Sequence, residues 1–343
     1  MYEKIHIHET DFTGKFLLKV DDHTMYVGYI TKEIVNLLKK ETKKNDIVNT
    51  INESYDLNIN SNEIDNIINK IDVFLLKERK TQLLKLIKIL NPNKLNFPTF
   101  IKNLFKDSTV YICFFLFLII NTLVFSSLTI NSSTSILDSS VLFFFLLIIL
   151  FLHELGHSIS ARNYKIKTNE IGFGIYIIFP VFYIDLGEAW TLNVKKRTII
   201  NLSGIYTQLI VGIIIFLATL VFKNNFLLTN LFYVNFVIII LNFNPFLKFD
   251  GYWIISDLLK EKDLITKSNE IFKTLLSFKF PEENMTIIVY AILRLIFILW
   301  VIYVVVIKLN KLILNLLSND MGLYDYILIS LIAFLIYKKI IKQ

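Results

Sequence analysis

From Val141 to Leu152 the chain carries no polar side chain, and it then places His153, Glu154 and His157 in the same segment. A run this apolar, continued past residue 160, satisfies its backbone in hydrocarbon only as a helix. Titratable groups inside such a helix are expensive, roughly 2.5–3.5 kcal/mol each near the bilayer centre on insertion scales, so three together point to a site rather than to packing. Positions i and i+4 share a helix face with Cβ atoms about 5–6 Å apart, which lets both imidazoles reach one metal ion. Glu154 stands beside that face, where it can touch a water on the ion. Two His ligands and a Glu general base are the parts of zinc-assisted peptide hydrolysis. With five His in 343 residues, His-Glu-x-x-His arises by chance in roughly three chains per thousand.

Hydrophobic residues make up 54% of the sequence and come in blocks, and the mean hydropathy is +0.56. Both values describe an integral protein of the cell membrane, with the lipid bilayer as its first partner. The net charge of +7 sits mainly in connecting segments and the N-terminal third, as orientation in an anionic membrane requires, so no nucleic-acid partner is expected. Cys113 is the single cysteine and lies in the first apolar run, which excludes an intramolecular disulfide and a cysteine-based zinc site. Met1–Phe12 is polar and reads as no signal peptide, leaving the first membrane segment as an uncleaved anchor.

Residues 1–90 read as a soluble α+β domain. Lys15–Ile30 looks like a hairpin turning at Asp21-Asp22, and three short helices follow, opened by Thr31, by Thr42 or Asn45, and by Ser61. Small strands and three helices suggest a winged helix. The third helix carries Glu63 and Asp65 against Lys70, a balance that repels phosphate. In element order and apolar pattern the segment resembles the PqqD-like recognition element that binds leader peptides of ribosomally made, modified peptides. That resemblance implies strand addition of a leader peptide near Phe16–Val20, beside Ile64–Ile71.

Residues 91–108 belong to a lysine-rich stretch, Arg79–Lys106, broken by Pro92 and Pro98 and read as a linker on the membrane surface. Residues 109–343 read as a polytopic helical membrane domain of about six spans. The first five are Val110–Leu128, Val141–Ala161, Thr198–Phe222, Thr229–Phe246 and Met285–Ile307, and a short sixth is Tyr324–Tyr337. Asn131–Ser140 lacks Lys and Arg and is expected outside, which puts both termini in the cytoplasm. Ile171–Leu186 is short, holds Gly172, Gly174 and Pro180, and is rich in strand-forming residues. It is expected as a re-entrant hairpin whose edge can pair with an unwound substrate. Arg294, deep in the fifth span, calls for a partner such as Asp185 or Glu188.

A catalytic zinc takes three protein ligands. His6, His8 and His23 lie in the soluble domain, so the third ligand is sought among Asp185, Glu188, Asp250 and Asp257. Asp250 is preferred, since Pro245 should break the preceding span and Gly251 permits a close approach; Asp185 is the reserve.

An H-E-x-x-H in a membrane segment, followed after another span by Asn244-Pro245 and Asp250-Gly251, resembles the site-2 protease family of intramembrane zinc metalloproteases, its peptide-maturation branch above all. The resemblance runs over about 110–259. It implies Zn2+, His153, His157 and Asp250 as ligands, Glu154 as catalytic base, and a peptide or membrane-protein substrate. Asn201 and Gly204 match the family's third-span motif, while Ile205 stands where proline is usual. Asn201 and Asn244 are thereby implied as substrate contacts and, with Asn242, as the lining of a polar channel. Three functions follow: maturation or export of a modified peptide, regulatory cleavage of an anti-sigma factor or pheromone precursor, and a non-catalytic exporter or immunity protein that retains a metal site.

Overall fold

The computed structural model describes residues 2–10, 14–20, 23–76, 83–128, 136–168, 170–176, 179–223, 225–261 and 263–318. The Asp21-Asp22 turn, the first half of the Asn131–Ser140 loop and the sixth span lie outside them, while residues 136–140 belong to a helix.

The N-terminal segment forms an antiparallel meander of β1 (His6–Glu9), β2 (Lys15–Val20) and β3 (His23–Gly28), with His6 opposite Lys19 and Lys15 opposite Gly28. Helices α1 (Tyr29–Lys39), α2 (Lys44–Tyr55) and α3 (Ser61–Leu76) follow. Leu18, Val27, Ile34, Ile51, Ile64 and Ile71 close one core from strands and helices together. On the other sheet face Leu17 is fully buried, and the Tyr26 ring opposite it meets Trp190 edge-on at 6.3 Å. All three helix starts differ from expectation, α2 beginning at Lys44 with Lys43 as its cap, between Thr42 and Asn45. α1 begins at Tyr29 with Gly28 as its cap, two residues before Thr31. α3 is closed by a reciprocal pair in which the Asn60 side chain accepts from Glu63 N and the Glu63 carboxylate accepts from Asn60 N. That capping box takes the role expected of Ser61.

The presumed linker has structure. β4 (Leu83–Leu90) heads a second sheet ordered β4-β5-β6, with β5 Ile171–Tyr176 and β6 Phe179–Ile184, and α4 (Thr99–Leu104) follows it. Ile171–Leu186 is thus an extended hairpin, as its glycines, proline and aromatic residues suggested.

Four helices are long and apolar enough to cross a membrane among the described residues: Asp107–Ser127, Asp138–Asn163, Val194–Val221 and Met285–Ile307. Three of them lie in α5 (Asp107–Ser127), α6 (Ile136–Asn163) and α7 (Val194–Val221), and α8 (Phe226–Asn242) is a shorter apolar helix. The chain is a polytopic helical membrane protein. α7 is the axis, packing on α5, α6 and α8, with Ile205, Tyr206 and Leu209 fully buried in the core they share. Where proline was expected, Ile205 keeps its backbone donor and α7 runs through unbroken. Amides cross-link the bundle: Asn121 Nδ2 donates to Leu209 O (3.1 Å) and Asn235 Nδ2 to Gln208 O (3.0 Å). In hydrocarbon such interhelical bonds replace the hydration those groups would have in water.

The segment from Asn244 onward holds α9 (Asp250–Leu258), α10 (Leu264–Leu276) and α11 (Met285–Ser318), packed around Tyr252, Leu264, Ile271, Ile287 and Ala291. Arg294 Nη1 donates to Asn269 Oδ1 on α10 at 2.8 Å. A neutral amide thus serves where Asp185 or Glu188 was expected, because α10 lies along α11 and brings Asn269 within reach.

Candidate metal centre

His153 and His157 lie one turn apart on α6 and are 6% and 3% exposed, so neither ring has bulk water as its main partner. The two rings meet edge to face at 4.7 Å, with their Nε2 atoms 3.1 Å apart. The opposite nitrogens are both engaged. His157 Nδ1 lies 2.7 Å from the Ile200 carbonyl, and His153 Nδ1 lies 3.0 Å from Gln208 Oε1. A carbonyl oxygen only accepts, so each Nδ1 carries the proton and donates it. Both Nε2 lone pairs therefore converge on one point. Two acceptors do not face each other at 3 Å in a buried site without a cation or proton between them.

α7 makes this convergence possible at Gly204. A Cβ built there would run into His157 Nε2 and lie 2.6 Å from Cε1 of both His153 and His157. Glycine at this position lets the α7 backbone lie flat against the imidazole pair. One turn along α6, Gly156 does the same for helix packing, its missing Cβ being replaced by Thr207 Oγ1 and the Ser203 carbonyl. Glu154 follows His153 on α6 and is half-buried.

His153 and His157 together offer two ring nitrogens to one point, which is half of a four-coordinate zinc sphere. Two imidazoles suit zinc and leave room for a carboxylate and an open position. Asp250 stands at the first turn of α9. The other carboxylates considered are held elsewhere: Asp185 accepts from Gly187 N, and Glu188 accepts from Lys167 N and pairs with Lys19 at 3.6 Å. Asp257 is buried near the end of α9. Gly251 sits inside α9, and Gly14 alone among the described glycines has positive φ, so Gly251 serves no turn.

The asparagines fall differently. Asn201 is half-buried on α7, next to the Ile200 that holds His157. Asn244 Oδ1 accepts from Phe246 N at 2.8 Å, bracing the turn around Pro245. Asn242 Nδ2 donates to Gln208 Oε1 at 3.0 Å. Gln208 itself went unnoticed in the sequence. An amide in the middle of an otherwise apolar span, four residues after Gly204, was the available signal.

The β5–β6 hairpin lies beside the motif. Phe182 meets Phe173 across the hairpin at 5.4 Å and Phe151 of α6, two residues before His153, at 5.6 Å. Outside the helices, Glu170 accepts from Lys85 of β4 at 2.7 Å. The Lys85 hydrogen bond holds the Glu170 carboxyl below its usual range. Burial pulls Lys85 down, but bonding to Glu170 outweighs it and the net shift is upward.

Residues 141–230 match the family model described as "Peptidase family M50", the site-2 protease family, whose metalloproteases use zinc. The chain is also 29% identical over 117 residues to a Bacillus subtilis (strain 168) protein named "Putative peptide zinc metalloprotease protein YydH". That alignment covers 34% of this chain and 45% of the relative, so the chain matches less than half of the relative's length. No solved structure matches it. Residues 141–230, which hold His153, Glu154, His157 and the helix packed against them, are thus similar to peptidase family M50.

Proposed function

We propose that the chain is an intramembrane zinc endopeptidase that hydrolyses a peptide bond near the cytoplasmic face of the cell membrane, in the maturation or export of a ribosomally made, modified peptide. The observation that carries the hydrolytic part is the convergence of two buried Nε2 lone pairs 3.1 Å apart, each imidazole locked from behind. His153, His157 and Asp250 are the ligands, and Asp250 is supported by its position in the first turn of α9, just after the Asn244-Pro245 turn. Zinc held there supplies a Lewis acid that polarises a carbonyl and makes water acidic enough to ionise near neutral pH. Glu154 takes the proton of the attacking water on its carboxylate and passes it to the leaving amine. The β5–β6 hairpin aligns the substrate as an added strand, and Asn201 contacts its backbone. Asn244, whose Oδ1 serves the local turn, reaches substrate through its amide group.

We assign residues 1–90 to recognition of a leader peptide, 91–108 to the membrane surface, and 109–343 to a protease domain with both termini cytoplasmic. The support is a separate N-terminal core, together with a relative whose name describes a peptide zinc metalloprotease. The test uses the full chain in cells with a candidate precursor from a neighbouring gene. Glu154→Gln should abolish precursor cleavage and leave bound zinc unchanged. Unaltered processing in that variant defeats the hydrolytic reading. Cleavage with no binding of a leader peptide to the purified full chain moves the substrate to a membrane-anchored regulatory protein.

A further inference from the structure

Gln208 is fully buried in a helix core where no packing demand calls for an amide. Its Oε1 accepts twice, from His153 Nδ1 of α6 and from Asn242 Nδ2 of α8, each at 3.0 Å. Its Nε2 is buried with no hydrogen-bond partner among the described residues. Leaving a buried donor unsatisfied is destabilising. Methionine has nearly the same length and volume and would avoid that cost, so packing alone gives no account of glutamine here. The oxygen does. Two donors converge on it, which fixes the amide's orientation and leaves Nε2 turned away from both.

From this geometry, and resting on His153 as a ligand, we propose that Gln208 and Asn242 are a positioning pair for the metal centre: Asn242 orients the Gln208 amide, and Gln208 Oε1 sets the tautomer and tilt of His153. The chain of bonds crosses three helices. Asn242 is the last residue of α8, and Asn235, two turns earlier, holds the Gln208 carbonyl through its own amide. Side chain and backbone of Gln208 are therefore both tied to α8. Ligating histidines generally donate their second N–H to such an acceptor, and its loss typically costs 10–100-fold in metal affinity. His157 uses a backbone carbonyl for this purpose, which no substitution removes, whereas His153 depends on a side chain.

The experiment titrates cobalt(II) into the purified, metal-free full chain in detergent, following its visible absorption, with competition by a chelator for affinity. Gln208→Met should weaken cobalt binding 10–100-fold and alter the band shape, an effect beyond the fall in the metal-free thermal midpoint that the two unserved donors cause. Gln208→Glu, which keeps an acceptor for His153 and for Asn242, should bind within a few-fold of wild type. Asn242→Leu should shift affinity in the same direction as Gln208→Met by a smaller factor. A packing role predicts the reverse order, with Gln208→Met neutral and the buried charge of Gln208→Glu the most harmful, and that order overturns the proposal. Wild-type cobalt binding with an unchanged Gln208→Met overturns it alone. Absence of cobalt binding by the wild type overturns the zinc-protease reading beneath it.

Discussion

Gly204→Ala puts one methyl group where the ligand pair now lies. The added Cβ would sit 2.6 Å from Cε1 of both His153 and His157, against a comfortable carbon–carbon separation of about 3.5–4.0 Å. Roughly 1 Å of room must therefore be found. Neither ring can swing away cheaply, because each is bonded from behind, His157 to the Ile200 carbonyl and His153 to Gln208. Separation of α6 from α7 is the remaining route, and metal–ligand distances tolerate only about 0.2 Å. The effect on folding is small by comparison. Overpacking costs about 1–3 kcal/mol, offset by about 1 kcal/mol from the better helix propensity of alanine. The variant should insert and fold with a metal-free thermal midpoint near wild type. Its zinc affinity, measured by chelator competition, should fall more than about 100-fold, equivalent to about 3 kcal/mol, and cleavage should be lost with it. Zinc affinity within threefold of wild type would falsify the claim that α7 lies against the imidazoles.

The other perturbations separate ligand, base and scaffold. Asp250→Ala should lower zinc affinity by at least tenfold, read by the same competition assay, and unchanged affinity removes Asp250 from the ligand set. Glu154→Gln should retain zinc and lose cleavage. Gly156→Ala meets the Ser203 backbone carbonyl at 2.6 Å, which cannot rotate aside, so it should lower the thermal midpoint of the metal-free chain, where Gly204→Ala does not. The Glu170–Lys85 pair gives a pH test. The depressed Glu170 carboxyl contributes stability that is complete above its unfolded value of 4.5 and is lost as pH falls through the lower folded value. With the Lys85 side chain 47% exposed, the effect is that of a surface pair, about 0.2–1 kcal/mol. Thermal midpoints between pH 6 and 3 should fall more steeply for wild type than for Glu170→Gln, and parallel curves would remove the pair from the balance.

What could be read in the sequence divides along the range of the forces involved. The shared helix face of His153 and His157 was legible because helical spacing is local, and the hairpin of Ile171–Leu186 because glycine, proline and β-branched residues punctuate the backbone directly. β4 was missed: in Leu-Leu-Lys-Leu-Ile-Lys-Ile-Leu the lysines fall three apart, hiding the alternation of a strand, and its partners lie some 85 residues away. β1, with four residues, is too short to show a period. The cap of α3 shifted by one because Asn60 and Ser61 are both good caps, and only the bond from Glu63 decides between them. Arg294 found Asn269 because α10 folds back along α11, a tertiary fact with no local signature.

The same division shows what the familiar motif leaves unsaid. His153 and His157 are four residues apart on α6, and the groups that confront them on α7 are the Ile200 carbonyl, Gly204 and the Gln208 side chain, again spaced by four. Rows at four-residue intervals on two packed helices interdigitate, so each ligand meets one supporting group and the glycine lies between. The sequence of α6 thus supplies the two imidazoles, but the sequence of α7 decides whether their lone pairs meet. Shifting the glycine by one residue along α7 would turn it about 100° away from the rings and replace it there by a side chain. The proposed metal centre is in that sense a property of the α6–α7 interface, and the His-Glu-x-x-His run is the half of it that a linear reading can see.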